Sequence, residues 1–145
     1  MSSQTILLVE DNPDDVELTL LAFRRSRMAN EILVAWNGEE ALDYLFATGQ
    51  YASRDVNDPP ALVLLDLKLP GLGGLDVLRK IREHPVTRRV PVVILTTSDD
   101  EQDIVNGYNL GVNSYIRKPV DFSSFVGVVD QLGLYWLVVN TRSPV

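Results

Sequence analysis

The chain predicts an α/β fold with a doubly wound parallel sheet, and three observations carry that prediction. Five short, apolar, strand-like runs recur along the 145 residues, and each is followed by a stretch of helical character. Such alternation implies parallel strands joined by crossover helices. The run that opens "LVLLDLKLPG" is apolar at every position, as in a strand covered on both faces. At this length one core is expected, burying roughly two thirds of the surface of the unfolded chain.

The expected strands are Thr5 to Val9, Glu31 to Ala35, Ala61 to Leu65, Val90 to Leu95 and Ser114 to Arg117. "DNPDD" announces the first helix. Asn12 can cap it, Pro13 suits the first helical position, and Asp14 and Asp15 complement the positive end of the dipole and do no more. Its buried stripe is expected to be Val16, Leu20 and Phe23. The second helix runs from near Asn37 to near Gly49 with Ala41, Leu42 and Leu45 inward, and "TGQYASRDVNDPP" follows as a long polar loop. A third helix from about Leu75 to His84 is stopped by Pro85, leaving His84 as a solvated C-terminal residue. The fourth begins after Ser98, with Thr97 and Ser98 as caps, and the last begins at Asp121. Phe125, Val129, Leu132 and Trp136 share its core-facing spacing. Tyr135, Leu137 and Val138 project elsewhere, and that leftover apolar face suggests an interface.

Composition narrows the function. With 13 basic against 20 acidic residues the net charge is -7, the wrong sign for neutralising phosphates, so nucleic-acid binding is not expected. No apolar run approaches the roughly 18 residues that span a bilayer, and no basic segment precedes the short apolar run near the start, so no membrane partner and a cytoplasmic location are expected. The absence of cysteine removes thiol catalysis and thiolate metal sites. A single histidine, His84, makes a Ser/His triad or a multi-histidine metal site inconvenient.

In open parallel sheets, ligands bind beyond the carboxyl ends of the strands. The first residues there are Glu10 and Asp11 after the first strand, Asp66 after the third, Thr96 after the fourth and Lys118 after the fifth. Three carboxylates at close range repel one another unless a cation compensates. Mg2+ favours oxygen ligands and keeps several waters, and Asp11, Asp66 and a carbonyl in the turn suffice to bind it. Asp66 could then attack a phosphoryl group while Mg2+ and Lys118 neutralise its oxygens, giving an aspartyl phosphate.

The segments "LLVEDNP", "LLDLKLPG", "PVVILTT" and "SYIRKP", in this order, resemble the receiver domain of two-component response regulators. The resemblance implies a flavodoxin-like (βα)5 sheet of strand order 2-1-3-4-5, with residues 1–133 as the receiver and 134–145 as a C-terminal extension. It implies that Asp66 is the phosphoacceptor, that Asp11 ligates Mg2+ with Glu10 assisting through water, and that the Lys68 backbone carbonyl completes the protein ligands. Lys118 is implied to contact the phosphoryl group and to form a cis peptide with Pro119. Thr96 and Tyr115 are implied as the switch pair, shifting the surface of the fourth helix, fifth strand and fifth helix by about 1–3 kcal/mol of coupling. Thr97 departs from the usual small residue, and Lys68 places a cation beside the acceptor.

The loop "ATGQYASRDVNDPP" and the tail "LYWLVVNTRSP" further resemble the single-domain receivers associated with bacterial phytochromes. That finer likeness implies a phytochrome-type sensor histidine kinase as donor and a homodimer on the face of the fourth and fifth helices, with Tyr135, Leu137 and Val138 at the interface. The reading is a phosphorylation switch in two-component signalling, which catalyses only its own phosphorylation chemistry and is not a metabolic enzyme. Its rivals are a dimeric scaffold of the same fold that never phosphorylates and an aspartyl-nucleophile phosphatase of the haloacid dehalogenase type. The phosphatase needs a second acid where Lys68 stands. A flavodoxin-like FMN carrier would need a hydroxyl-rich phosphate loop where the chain has "EDNPDD".

Overall fold

The computed structural model describes residues 5–26, 30–96, 104, 106, 108–112, 114–118 and 121–132. Five parallel strands form one sheet: β1 (Ile6–Val9), β2 (Ile32–Ala35), β3 (Leu62–Leu65), β4 (Val92–Thr96) and β5 (Ser114–Arg117), in the order β2-β1-β3-β4-β5. Around it lie α1 (Pro13–Arg25), α2 (Gly38–Phe46), α3 (Gly74–Glu83) and a final helix, α4 (Phe122–Leu132). This is the predicted architecture, with strand bounds differing by at most two residues.

Alternate residues of each strand feed two separate cores. Leu7, Val9, Val63, Leu65, Val92 and Ile94 pack with α2 and α3, while Ile6, Leu8, Leu62, Leu64, Val93 and Leu95 pack with α1 and α4. A strand read by both layers must be apolar throughout, which accounts for the unbroken LVLL of β3. Each such side chain taken fully from water contributes about 1.5–3 kcal/mol. Register follows: Ile6 pairs with Leu62 and Val9 with Leu65, while Leu65 pairs with Ile94.

The helix starts obey local chemistry. The Asn12 side chain accepts the Asp14 and Asp15 backbone N–H groups at 2.9 and 3.3 Å, ahead of Pro13. Asn37 caps α2 through the Glu40 N–H at 2.8 Å, and Asp121 caps α4 through the Ser124 N–H at 3.1 Å. Inside α1, Val16 and Phe23 are buried as expected, but Leu20 is half-buried and the fully buried positions include Thr19 and Ala22. Thr19 tolerates this because its hydroxyl donates to the Asp15 carbonyl at 2.8 Å. In α2, Tyr44 takes a buried place beside Ala41 and Leu45, and Leu42 lies partly buried.

Two local expectations are corrected. The segment after α2 is more than a polar loop: it turns through a short 3-10 helix, Gly49–Tyr51. There Tyr51 meets Tyr44 edge-on at 5.2 Å, and Arg54 lies 4.2 Å over the Tyr44 ring while bonding the Tyr44 and Asp58 carbonyls. His84 is not simply solvated either. Its ring stacks on Phe46 at 4.8 Å and its Nδ1 accepts the Val86 N–H at 3.1 Å, fastening the end of α3 to α2.

Of the predicted fourth helix, Ile104, Asn106, Tyr108 and Asn109 are helical. Thr97, Ser98, Pro119, Tyr135, Trp136, Leu137 and Val138, with the cis peptide and the interface assigned to them, lie outside the described residues. No helix among the described residues is long and apolar enough to cross a membrane.

Candidate functional site

The site forms where β1, β3, β4 and β5 end. Residue Glu10 continues β1, its N–H bonded to the Ala35 carbonyl of β2 at 3.0 Å, and Asp66 continues β3, its N–H bonded to the Val9 carbonyl at 3.0 Å. The Lys118 N–H donates to the Thr96 carbonyl at 2.7 Å, tying the ends of β4 and β5 together. Three ladder bonds thus hold these side chains on the sheet itself, which is more rigid than any loop.

Glu10 and Asp66 are buried to 2% and 5% exposure, Thr96 is fully buried, and Asp11 is exposed. Carboxylate oxygens of Glu10, Asp11 and Asp66 come within 4.8 Å of one another. The predicted acids therefore meet. The Asp66 Oδ1 accepts the Lys68 N–H at 3.0 Å, which orients the carboxylate, while Lys68 itself is exposed.

Behind Asp66, α3 starts against bare backbone. A Cβ on Gly74 would fall 2.3 Å from the Asp66 carbonyl oxygen, so only glycine allows the helix this close to the end of β3. The turn between them passes through Gly71 at φ +69°, and the next N–H, that of Leu72, is captured by Glu39 of α2 at 3.0 Å. Glu39 was not foreseeable. Thirty-three residues separate it from Leu72, and no local pattern marks it.

Lys118 reaches into the acids. Its Nζ lies 2.6 Å from Glu10, 2.7 Å from Asp15 and 3.3 Å from Asp66. This corrects the reading of Asp15 as only a helix-end acid: its carboxylate turns to the lysine instead of serving the helix dipole alone. Its position four residues past Asp11 was the available signal, since it places a further acid just above the rim.

The electrostatics follow from burial. Desolvation pushes Glu10 up to about 7, and its like-charged neighbour Asp66 adds to that rise while Lys118 opposes it. Burial alone would lower Lys118, but its bonds to Asp15 and Glu10 and the field of Asp66 outweigh it, so the ammonium is raised and stays charged. Tyr115 of β5 is half-buried, packs against the α2–α3 core and lies 6.5 Å from the Tyr108 ring.

Residues 6–130 match the response regulator receiver domain. The chain belongs to the receiver family. The response regulator Rcp1 of Synechocystis sp. (strain ATCC 27184 / PCC 6803 / Kazusa) is 36% identical over 139 residues, 95% of this receiver and 92% of Rcp1. The phosphorylated cyanobacterial phytochrome response regulator RcpA matches with a TM-score of 0.86 at 38% identity, over 99% of this receiver and 100% of RcpA. The Mn2+-bound form of Rcp1 matches with a TM-score of 0.84 at 34% identity, over 97% of this receiver and 99% of that chain. The receiver is thus a two-component signalling module similar to phytochrome response regulators.

The donor set suits a hard divalent cation. All three clustered groups are carboxylates, two of them buried, and nitrogen and sulfur ligands are absent from the cluster.

Proposed function

We propose that this receiver accepts a phosphoryl group on Asp66 in a Mg2+-dependent reaction, from a sensor histidine kinase of the phytochrome type, and signals through altered protein contacts. The observation that carries this reading is the convergence of Glu10, Asp11 and Asp66 within 4.8 Å beside a charged Lys118. The phytochrome donor rests on the likeness to Rcp1 and RcpA.

Glu10, Asp11 and Asp66, with the Lys68 carbonyl, would hold the ion. Bound there, Mg2+ supplies charge neutralisation for the incoming phosphoryl oxygens. Everything else is the work of the chain. The Lys68 N–H at 3.0 Å occupies Asp66 Oδ1, which leaves Oδ2 as the attacking oxygen. As its P–O bond forms, the P–N bond to the donor imidazole breaks, the ring nitrogen keeps the electron pair, and the kinase imidazole, which carries a proton on its other nitrogen, leaves neutral. Lys118 faces Oδ2 and would shift by little to meet a phosphoryl oxygen. Thr96, buried at the end of β4, is assigned the hydrogen bond to another, and Tyr115 the movement that follows it.

The test is exposure of the parent protein and of Asp66→Asn to a small phosphodonor with and without Mg2+. A phosphoryl mass increment in the parent alone, dependent on Mg2+ and labile to base, is the expected result. An unmodified parent would leave the non-phosphorylating scaffold as the better reading.

A further inference from the structure

We propose that Asp15 is a positioning residue that holds the Lys118 ammonium aside from Asp66, keeping the acceptor available for metal and phosphoryl group. The proposal deepens the aspartyl-phosphate reading above and rests on it for its kinetic consequence.

An ammonium has three N–H donors, and at Lys118 three carboxylates share them unequally. The two short contacts go to Glu10 at 2.6 Å and Asp15 at 2.7 Å, and Asp66 receives the long one at 3.3 Å. Asp66 Oδ1 is already engaged by the Lys68 N–H, so the oxygen facing Lys118 is the one left to react. A tight ion pair there would oppose both metal binding and attack, because each needs the same lone pairs. Asp15 prevents this by taking a full share of the lysine from the first turn of α1.

Its exposure suits the task. The Asp15 side chain is 31% exposed, against 2% for Glu10 and 6% for Asp66. Water can therefore solvate Asp15 when the lysine turns to a phosphoryl oxygen, whereas a deeply buried partner would be left as an uncompensated charge. Asp15 also lies outside the three carboxylates that cluster for metal, so it keeps its hold on Lys118 when a cation occupies them.

The experiment compares Asp15→Asn with Asp14→Asn, which removes the same charge from the same turn of α1 at an exposed position. In Asp15→Asn, Mg2+ affinity by calorimetry and the rate of phosphorylation by a small phosphodonor should each fall roughly three- to five-fold, the scale of a partly exposed ion pair. Asp14→Asn should match the parent, and Asp15→Glu should restore most of the loss. Helix content should respond alike to the Asp14 and Asp15 substitutions, since both sit in the first turn of α1, whereas melting temperature should fall further in Asp15→Asn, which also loses the 2.7 Å pair with Lys118. The 15N signal of the Lys118 ammonium should move in Asp15→Asn and not in Asp14→Asn. An unmoved lysine signal, equal losses in both asparagine variants, or faster phosphorylation of Asp15→Asn would overturn the proposal. A parent that never phosphorylates while the lysine signal behaves as described would sink the aspartyl-phosphate reading and leave the positioning contact standing.

Discussion

The body of β3 and the rim it runs into are one residue apart, equally buried, and held by opposite physics. Leu62 to Leu65 are at most 2% exposed, and Asp66 beyond them is 5% exposed. The leucines gain from leaving water, whatever the solution conditions. Asp66 and Glu10 lose by it, and remain because Lys118 stands between them. Stability is unconditional in the strand and conditional at the rim, and the conditional part is where a cation or phosphate can act.

The largest effect that tests this contrast is Leu64→Ala, which should cost about 4 kcal/mol in urea unfolding. Because its cavity is apolar, the loss should be the same with or without excess Mg2+ and across the neutral range of pH. A cost that varied with Mg2+ would mean that strand and rim are not separable.

Lys118→Met should come next, destabilising the metal-free protein at neutral pH by about 3 kcal/mol through buried, uncompensated carboxylates. Here the loss should shrink as Mg2+ is added or as acid protonates Glu10. A constant penalty under both treatments would show that the lysine stem, and not its charge, was responsible.

The smallest effect concerns protons. The folded-state value of Glu10 lies at about 7, above its ordinary 4.5. Its protonated form is thus favoured by the metal-free fold: that stabilising contribution is complete below pH 4.5 and is lost as pH rises through 7. Mg2+ held by Glu10 as proposed would take the carboxylate form, so its apparent affinity should weaken below pH 7, approaching about tenfold per unit, and level off above it. Glu10→Gln should abolish the slope and, without metal, be no less stable than the parent at pH 8. Calorimetric titration in buffers of different ionisation enthalpy measures the released proton directly.

Much of the site was legible because its residues occupy places that local grammar defines. Apolar runs mark strands, the residue after a strand marks the rim, and parallel crossovers put all such residues on one side. Glu10, Asp11, Asp66, Thr96 and Lys118 could be gathered this way before any coordinate was known. Asp15 was misread because an acid in the first turn of a helix has a sufficient local explanation, and the contact that redirects it comes from Lys118, 103 residues away. His84 failed similarly: a polar ring before Pro85 reads as solvated until Phe46 of another helix stacks on it.

By itself the sequence determined the order of elements, the two-faced apolar strands, the cap at Asn12, the helix starts near Asn37 and Asp121, and which acids stand at strand ends. These depend on periodicity and on bonds between residues a few positions apart, which a linear text records. Only the tertiary structure decided how Lys118 divides its three protons, that Gly74 must be bare for α3 to approach Asp66, and that Glu39 holds the turn at Leu72. Those outcomes are set by distances across the fold, where tenths of an ångström and the loss of water rank contacts that look equivalent along the chain.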